Sequence, residues 1–143
     1  MSQPLVWAFF YGSFINFEVL KQSGFVPERF EVARLNGFEI RIQPLATVIH
    51  SNQHCVYGIV VPATHEDLRR IYSQDWVGAY LPEEVLVQTL DGKWRPAFCY
   101  IAPATEVKPA TNEYIDRMVG PAKKYGFPDW YIARIESFRP SGG

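Results

Sequence analysis

The chain has 143 residues, 48% hydrophobic and 20% charged, with a formal net charge of −1. This balance excludes a disordered segment and a mini-domain dependent on disulfides or metal. It offers no basic surplus for nucleic acid or an anionic membrane. Leu5–Phe10 is a continuous apolar run, expected as a strand buried on both faces. It stops at Tyr11-Gly12-Ser13, after which Asn16 is expected to cap a short helix, Phe17 to Gln22, with Gly24 as its stop. Arg29 to Ile42 holds two β-like pieces around Asn36-Gly37, a strong turn signal that also allows a bulge or a kinked strand. Pro44 to Gln53 reads as a loop, and Cys55 to Val61 as a second buried strand ended by Pro62.

Thr64 opens a helix in which Asp67 reaches back as a shortened capping box, with Leu68, Ile71 and Tyr72 on one face. Glu84–Leu90, Asp91-Gly92 and Lys93–Ile101 form the clearest hairpin, with Pro96 marking an edge or a bulge. Pro103–Pro109 is expected to be a loop. Asn112–Tyr125 is a helix weakened or kinked by Pro121 and closed by Gly126. Pro128 starts a last helix whose apolar side is Trp130, Tyr131, Ile135 and Phe138. The expected fold is a single α+β domain over 1–143, a small closed or half-closed barrel of mixed strands flanked by helices.

Cys55 and Cys99 lie inside apolar runs, which points to a reducing compartment. No basic region precedes Leu5–Phe10, and no run approaches the roughly 18 apolar residues of a membrane helix, so a cytoplasmic location is expected. His50, His54 and His65 lack metal-ligand spacing, and no metal or cofactor is expected.

Two segments are candidates for chemistry. Glycine in the Tyr11-Gly12-Ser13-Phe14 turn allows close backbone approach, and free N–H groups leading into a helix favour a negative group or a developing oxyanion. Gly12→Val is expected to block ligand entry while leaving the fold largely intact. Asp75 follows the second helix among aromatic and apolar residues, Trp76 and Val77 included. A carboxylate in partly desolvated surroundings can act as a base near neutral pH. The alternative for Asp75 is an exposed residue at a helix end. Arg34 and Arg41 suit a substrate carboxylate but are expected to face solvent on a period-two strand, and Cys55 reads as structural.

Phe10-Tyr11-Gly12-Ser13-Phe14 resembles the Tyr-Gly-Ser-Leu signature of γ-glutamylcyclotransferase-like proteins, which include the plant avirulence-induced proteins. Val56-Tyr57-Gly58-Ile59-Val60 is similar to the family's Val-x-Gly-x-Leu/Val strand. Leu68 to Asp75 is similar to its Leu-(Asp)-x-x-Glu-Gly segment, and Tyr114, Gly126-Phe127-Pro128 and Tyr131 to its C-terminal part.

The resemblance implies an enzyme in which the α-amine of a γ-glutamyl group attacks its own γ-carbonyl, releasing 5-oxoproline and an amine or amino acid. Tyr11, Gly12, Ser13, Phe14 and Tyr114 would bind this small-molecule substrate, and Asp75 would be the catalytic acid/base. Asp75 stands where the family has glutamate, with Trp76 in place of the following glycine. The shorter arm implies an inward backbone shift, a different substrate or lost activity. Glu83 and Glu84 are the alternative carboxylates if the register differs. A non-catalytic small-molecule binder, or a related enzyme with another base, remains an alternative. Oligomeric state stays open.

Overall fold

The computed structural model describes residues 4–102 and 108–140. Five strands, β1 (Val6–Phe10), β2 (Glu31–Ile42), β3 (Ala46–Ala63), β4 (Leu81–Thr89) and β5 (Trp94–Ile101), close a barrel in the order β1-β3-β2-β4-β5. Neighbours are antiparallel except where β5 closes onto β1 in parallel, at Ala8–Phe98 and Phe9–Cys99. Four helices flank it: α1 (Phe17–Gln22), α2 (His65–Tyr72), α3 (Asn112–Lys124) and α4 (Asp129–Glu136). The mixed barrel with outer helices matches the expected fold class. No helix among the described residues is long and apolar enough to cross a membrane. The expected loop at Pro103–Pro109 falls mostly outside the described residues.

Two expectations are corrected and one open reading is settled. Asn36-Gly37 is not a hairpin turn, because both flanks pair with the same strand, β3; it faces a β-bulge in which Gly37, at φ +85°, opposes the four extra β3 residues Ser51 to His54. The expected loop Pro44–Gln53 is mostly strand. Phe38 to Ile42 pair with His50 to Ala46, so the real turn is Gln43–Leu45, with a cis Gln43–Pro44 peptide. Pro62 does not end β3. It lies beyond the last β2 partner, Val60, where a missing N–H breaks no bond to β2.

Gly58 fixes how tightly β1 lies on β3. A Cβ there would meet the Phe10 carbonyl oxygen at 2.2 Å and the Phe9 ring at 2.9 Å. The capping box is complete: Thr64 N–H donates to Asp67 Oδ2 at 3.1 Å, and Asp67 N–H to Thr64 Oγ1 at 3.0 Å.

Asn16 caps α1 by accepting from Glu18 N–H at 2.9 Å, and its amide donates to the Arg117 carbonyl at 3.0 Å. That carbonyl is the one Pro121, lacking an N–H, leaves unpaired four residues earlier. The α3 helix therefore runs through Pro121 with the lost bond replaced from outside.

Candidate functional site

β1 delivers its last residues to the turn. Tyr11 and Ser13 are buried, and Ser13 to Ile15 form a single 3₁₀ turn. The leading N–H groups of such a turn have no partner inside it. The Tyr11 hydroxyl donates to the Tyr100 carbonyl at 2.7 Å. Gly12 has φ −100°, outside the left-handed region that favours glycine. It is glycine for lack of space: a Cβ would lie 2.8 Å from Ala46 Cβ and 3.2 Å from the Tyr114 hydroxyl. The expectation that Gly12→Val spares the fold is therefore corrected, since the added atoms collide with the β2–β3 hairpin before they reach a ligand.

The hairpin tip is held down by tyrosines. The Ala46 N–H donates to Tyr114 Oη at 3.0 Å, and the Tyr80 hydroxyl donates to the Ala46 carbonyl. Burial raises the Tyr114 hydroxyl's pKa, against the opposing effect of hydrogen bonds from Ala46 and Ser13. Burial likewise raises Tyr11, Tyr72 and Tyr80. These phenols are neutral at physiological pH and act as hydrogen-bonding groups, not bases.

Tyr11 to Phe14 and Tyr114 line one common cavity. Sequence reasoning missed Leu45, Ala46, Tyr72 and Tyr80 on its other walls. Its volume is about 20 Å³, room for about one water. The Phe14 ring closes it, with centroids 5.3 Å from Tyr72 and 5.6 Å from Trp76. No charged side chain lines the cavity among the described residues.

Asp75 is placed elsewhere. It is exposed, on the turn between α2 and β4, so the expected desolvating surroundings are absent. It lines an adjoining groove of about 260 Å³ together with Gln43, Pro44, Thr47 and Ala79. Leu45, Trp76, Val77 and Tyr80 line both spaces, so groove and cavity adjoin. The turn and Tyr114 are thus brought together, and Asp75 stands in the next compartment.

The remaining candidates have structural occupations. Glu83 and Glu84 are exposed on β4. Arg41 donates to Glu39 at 2.7 Å, and Arg34 to Gln88 at 3.3 Å. Burial pushes the Cys55 thiol up. Burial and the Glu83 charge push Cys99 up to about 12, which makes it inert. No metal-binding cluster exists among the described residues.

No family model matches the chain, and no curated protein matches it. Solved structures do. One named γ-glutamyl cyclotransferase superposes with TM-score 0.79 at 24% identity, covering 98% of this chain and 93% of that one. The chain carries the γ-glutamylcyclotransferase-like fold. A Homo sapiens structure described as uncharacterized protein loc79017 gives TM-score 0.81 at 24% identity, over 97% and 90% of the two chains. A yeast γ-glutamyl cyclotransferase specific to glutathione gives 0.64 at 13% identity, over 96% and 98%. Within this γ-glutamylcyclotransferase-like fold, the turn, the hairpin tip and the turn after α2 surround one opening.

Proposed function

We propose that the chain is a γ-glutamylcyclotransferase-type enzyme that releases 5-oxoproline from a γ-glutamyl amine or γ-glutamyl amino acid. The observation that supports this most is the Tyr11–Phe14 turn at the end of β1, set against Tyr114 beside an uncharged cavity that adjoins a groove bearing Asp75. In the reaction the α-ammonium first loses a proton to Asp75. The free amine attacks the γ-carbonyl carbon, forming the ring C–N bond. The carbonyl oxygen takes the negative charge and faces the N–H groups of Gly12, Ser13 and Phe14. Collapse breaks the bond to the leaving nitrogen, which receives the proton from Asp75, and the ring nitrogen gives up its second proton to the departing amine, which leaves as an ammonium. Ring closure is intramolecular, so holding one conformer supplies much of the rate. Entry of a γ-glutamyl group into a cavity of about 20 Å³ requires the Phe14 and Trp76 rings to give way. Trp76 is 43% exposed and is the freer of the two.

A second reading, a non-catalytic small-molecule binder on the same fold, is favoured by one observation: Asp75 lines the groove and not the cavity. Assaying γ-glutamyl amines, γ-glutamyl amino acids and glutathione for 5-oxoproline release separates the two, with thermal shift by 5-oxoproline in parallel. Turnover supports the enzyme, stabilisation without turnover supports the binder, and neither signal refutes both. With turnover in hand, Asp75→Asn should lower kcat by roughly 100-fold, the scale of a positioned acid–base group. Asp75→Glu should retain or raise activity, because the exposed turn has room for the longer arm. Equal rates for Asn and wild type would remove Asp75 from the mechanism.

A further inference from the structure

We infer a second ligand site, between α4 and the β2–β3 pair, that binds a planar ring carrying an anionic group, a carboxylate or a phosphate. It does not depend on the cyclotransferase reading. A pocket of about 380 Å³ there is bounded by Glu39, Ile40, His54, Trp130, Tyr131 and Arg134. That volume is within the range of small-molecule sites. The pocket shares no lining residue with the cavity or its groove.

Simple spacing puts these groups together. Glu39 and Arg41, two apart on β2, share a face. Trp130 and Arg134, four apart on α4, share another. The register shift opposite Gly37 lets His54 turn to Glu39, Nδ1 to Oε2 at 3.3 Å. Arg41 donates to Glu39 Oε1 through Nε at 2.7 Å, and this bond holds the carboxyl's pKa below its ordinary value. One carboxylate thus balances one guanidinium, and Arg134 is the surplus charge. It stays 3.7 Å from Glu39, beyond hydrogen-bond reach. Its guanidinium lies over the Phe138 ring and makes no hydrogen bond among the described residues.

His54 Nδ1 also meets Ser51 Oγ at 2.6 Å, while Nε2 makes no hydrogen bond among the described residues. Where Ser51 donates, the ring proton sits on Nε2, which is then a donor for a ligand oxygen. Two unused donors in one pocket suit a carboxylate or a phosphate, which Arg grips bidentately. The ring of the ligand is set by Trp130, which is 53% exposed and braced by the edges of Tyr57 and Tyr131 at 6.1 and 5.6 Å. So held, its indole is a stacking platform. A cationic ligand finds Glu39 already engaged by Arg41, and a neutral one leaves Arg134 without a partner.

The test titrates 2-naphthoate, 2-naphthyl phosphate, 2-naphthamide and cyclohexanecarboxylate into the full chain and follows backbone amide NMR shifts. Both naphthyl anions should move the amides of Glu39, His54 and Trp130 to Arg134. They should bind at least about tenfold tighter than the neutral amide and the non-planar anion. Whichever anion is tighter identifies the headgroup. Arg134→Gln should weaken both anions about tenfold and leave the amide unchanged, and Trp130→Ala should weaken all three naphthyl compounds. If Arg134→Gln lowers the urea midpoint, wild type decides by salt: anion affinity must fall with added salt while the amide's holds. No shift with either anion, equal binding of the amide, an anion affinity indifferent to Arg134→Gln, or shifts confined to the Tyr11–Phe14 turn would overturn the inference. Each of these results leaves the cyclotransferase reading standing, because 5-oxoproline release is measured separately.

Discussion

Gly12→Ala tests why the turn contains glycine. The new Cβ would lie 2.8 Å from Ala46 Cβ, against a normal carbon–carbon separation of about 3.5–4.0 Å. Something must move by roughly 1 Å. Ala46 resists, because it is buried and both its N–H and its carbonyl are held by tyrosine hydroxyls. Overpacking costs about 1–3 kcal/mol, and loosening the Ala46–Tyr114 bond adds about 0.5–1.5 kcal/mol. A loss of about 2–4 kcal/mol is expected, large against a total of about 5–15 kcal/mol. Ala46→Gly removes the atom that is struck and should rescue the variant. Urea unfolding of wild type, both single variants and the double variant gives the coupling energy, expected at about 1–3 kcal/mol in favour of the double. A coupling below about 0.5 kcal/mol would refute steric exclusion as the reason for Gly12.

Gly58→Ala should be more severe, since its Cβ would sit 2.2 Å from the Phe10 carbonyl oxygen; recovery of a soluble variant with a wild-type urea midpoint would contradict the close crossing of β1 and β3. Asn16→Ala removes both the α1 cap and the partner of the Arg117 carbonyl, and should cost about 2–3 kcal/mol by urea unfolding, more than a cap alone. A loss under about 1 kcal/mol would show that water replaces the second bond. At Asp67, burial would raise the carboxyl pKa, but hydrogen bonds from Thr64 and the Arg70 charge outweigh it and lower the net value. A group depressed in the folded state stabilises above its unfolded pKa of about 3.9 and loses that contribution as pH falls through the lower folded value. Wild type should therefore exceed Asp67→Asn in stability at pH 7 and converge with it as acid titration passes below about pH 4; a constant gap would rule out the charge.

Much of the site was legible because its residues sit where local signals are sharp. An apolar run breaking at Tyr11-Gly12-Ser13 announces a strand feeding a turn, and Tyr114 falls in the first turn of a helix with a clear apolar face. The β2–β3 hairpin was not legible. His50 to Gln53 carry no buried side chain, and Ser51 to Gln53 fall at the register shift opposite Gly37, so a stretch inside β3 reads locally as loop. Losing that hairpin also lost Leu45 and Ala46 from the site. Asn36-Gly37 misled in the opposite way, a local turn preference absorbed as a bulge by a longer ladder. Tyr72 and Tyr80 carry no signal that separates a cavity wall from a core ring.

The parallel junction of β1 with β5 also bears on how the chain assembles. The β4–β5 pairing closes across a short turn, and β2–β3 from Ile42 to Ala46, so both can zip with little loop-closure entropy. Ala8 and Phe98 meet across about 90 intervening residues, a contact of the kind that slows folding. Short loop closure favours the two hairpins forming before β1 completes the barrel. The Tyr11–Phe14 turn is carried in on the end of that strand. The turn's placement thus depends on the pairing of greatest sequence separation, and conditions that loosen the barrel are expected to disturb it before the hairpins.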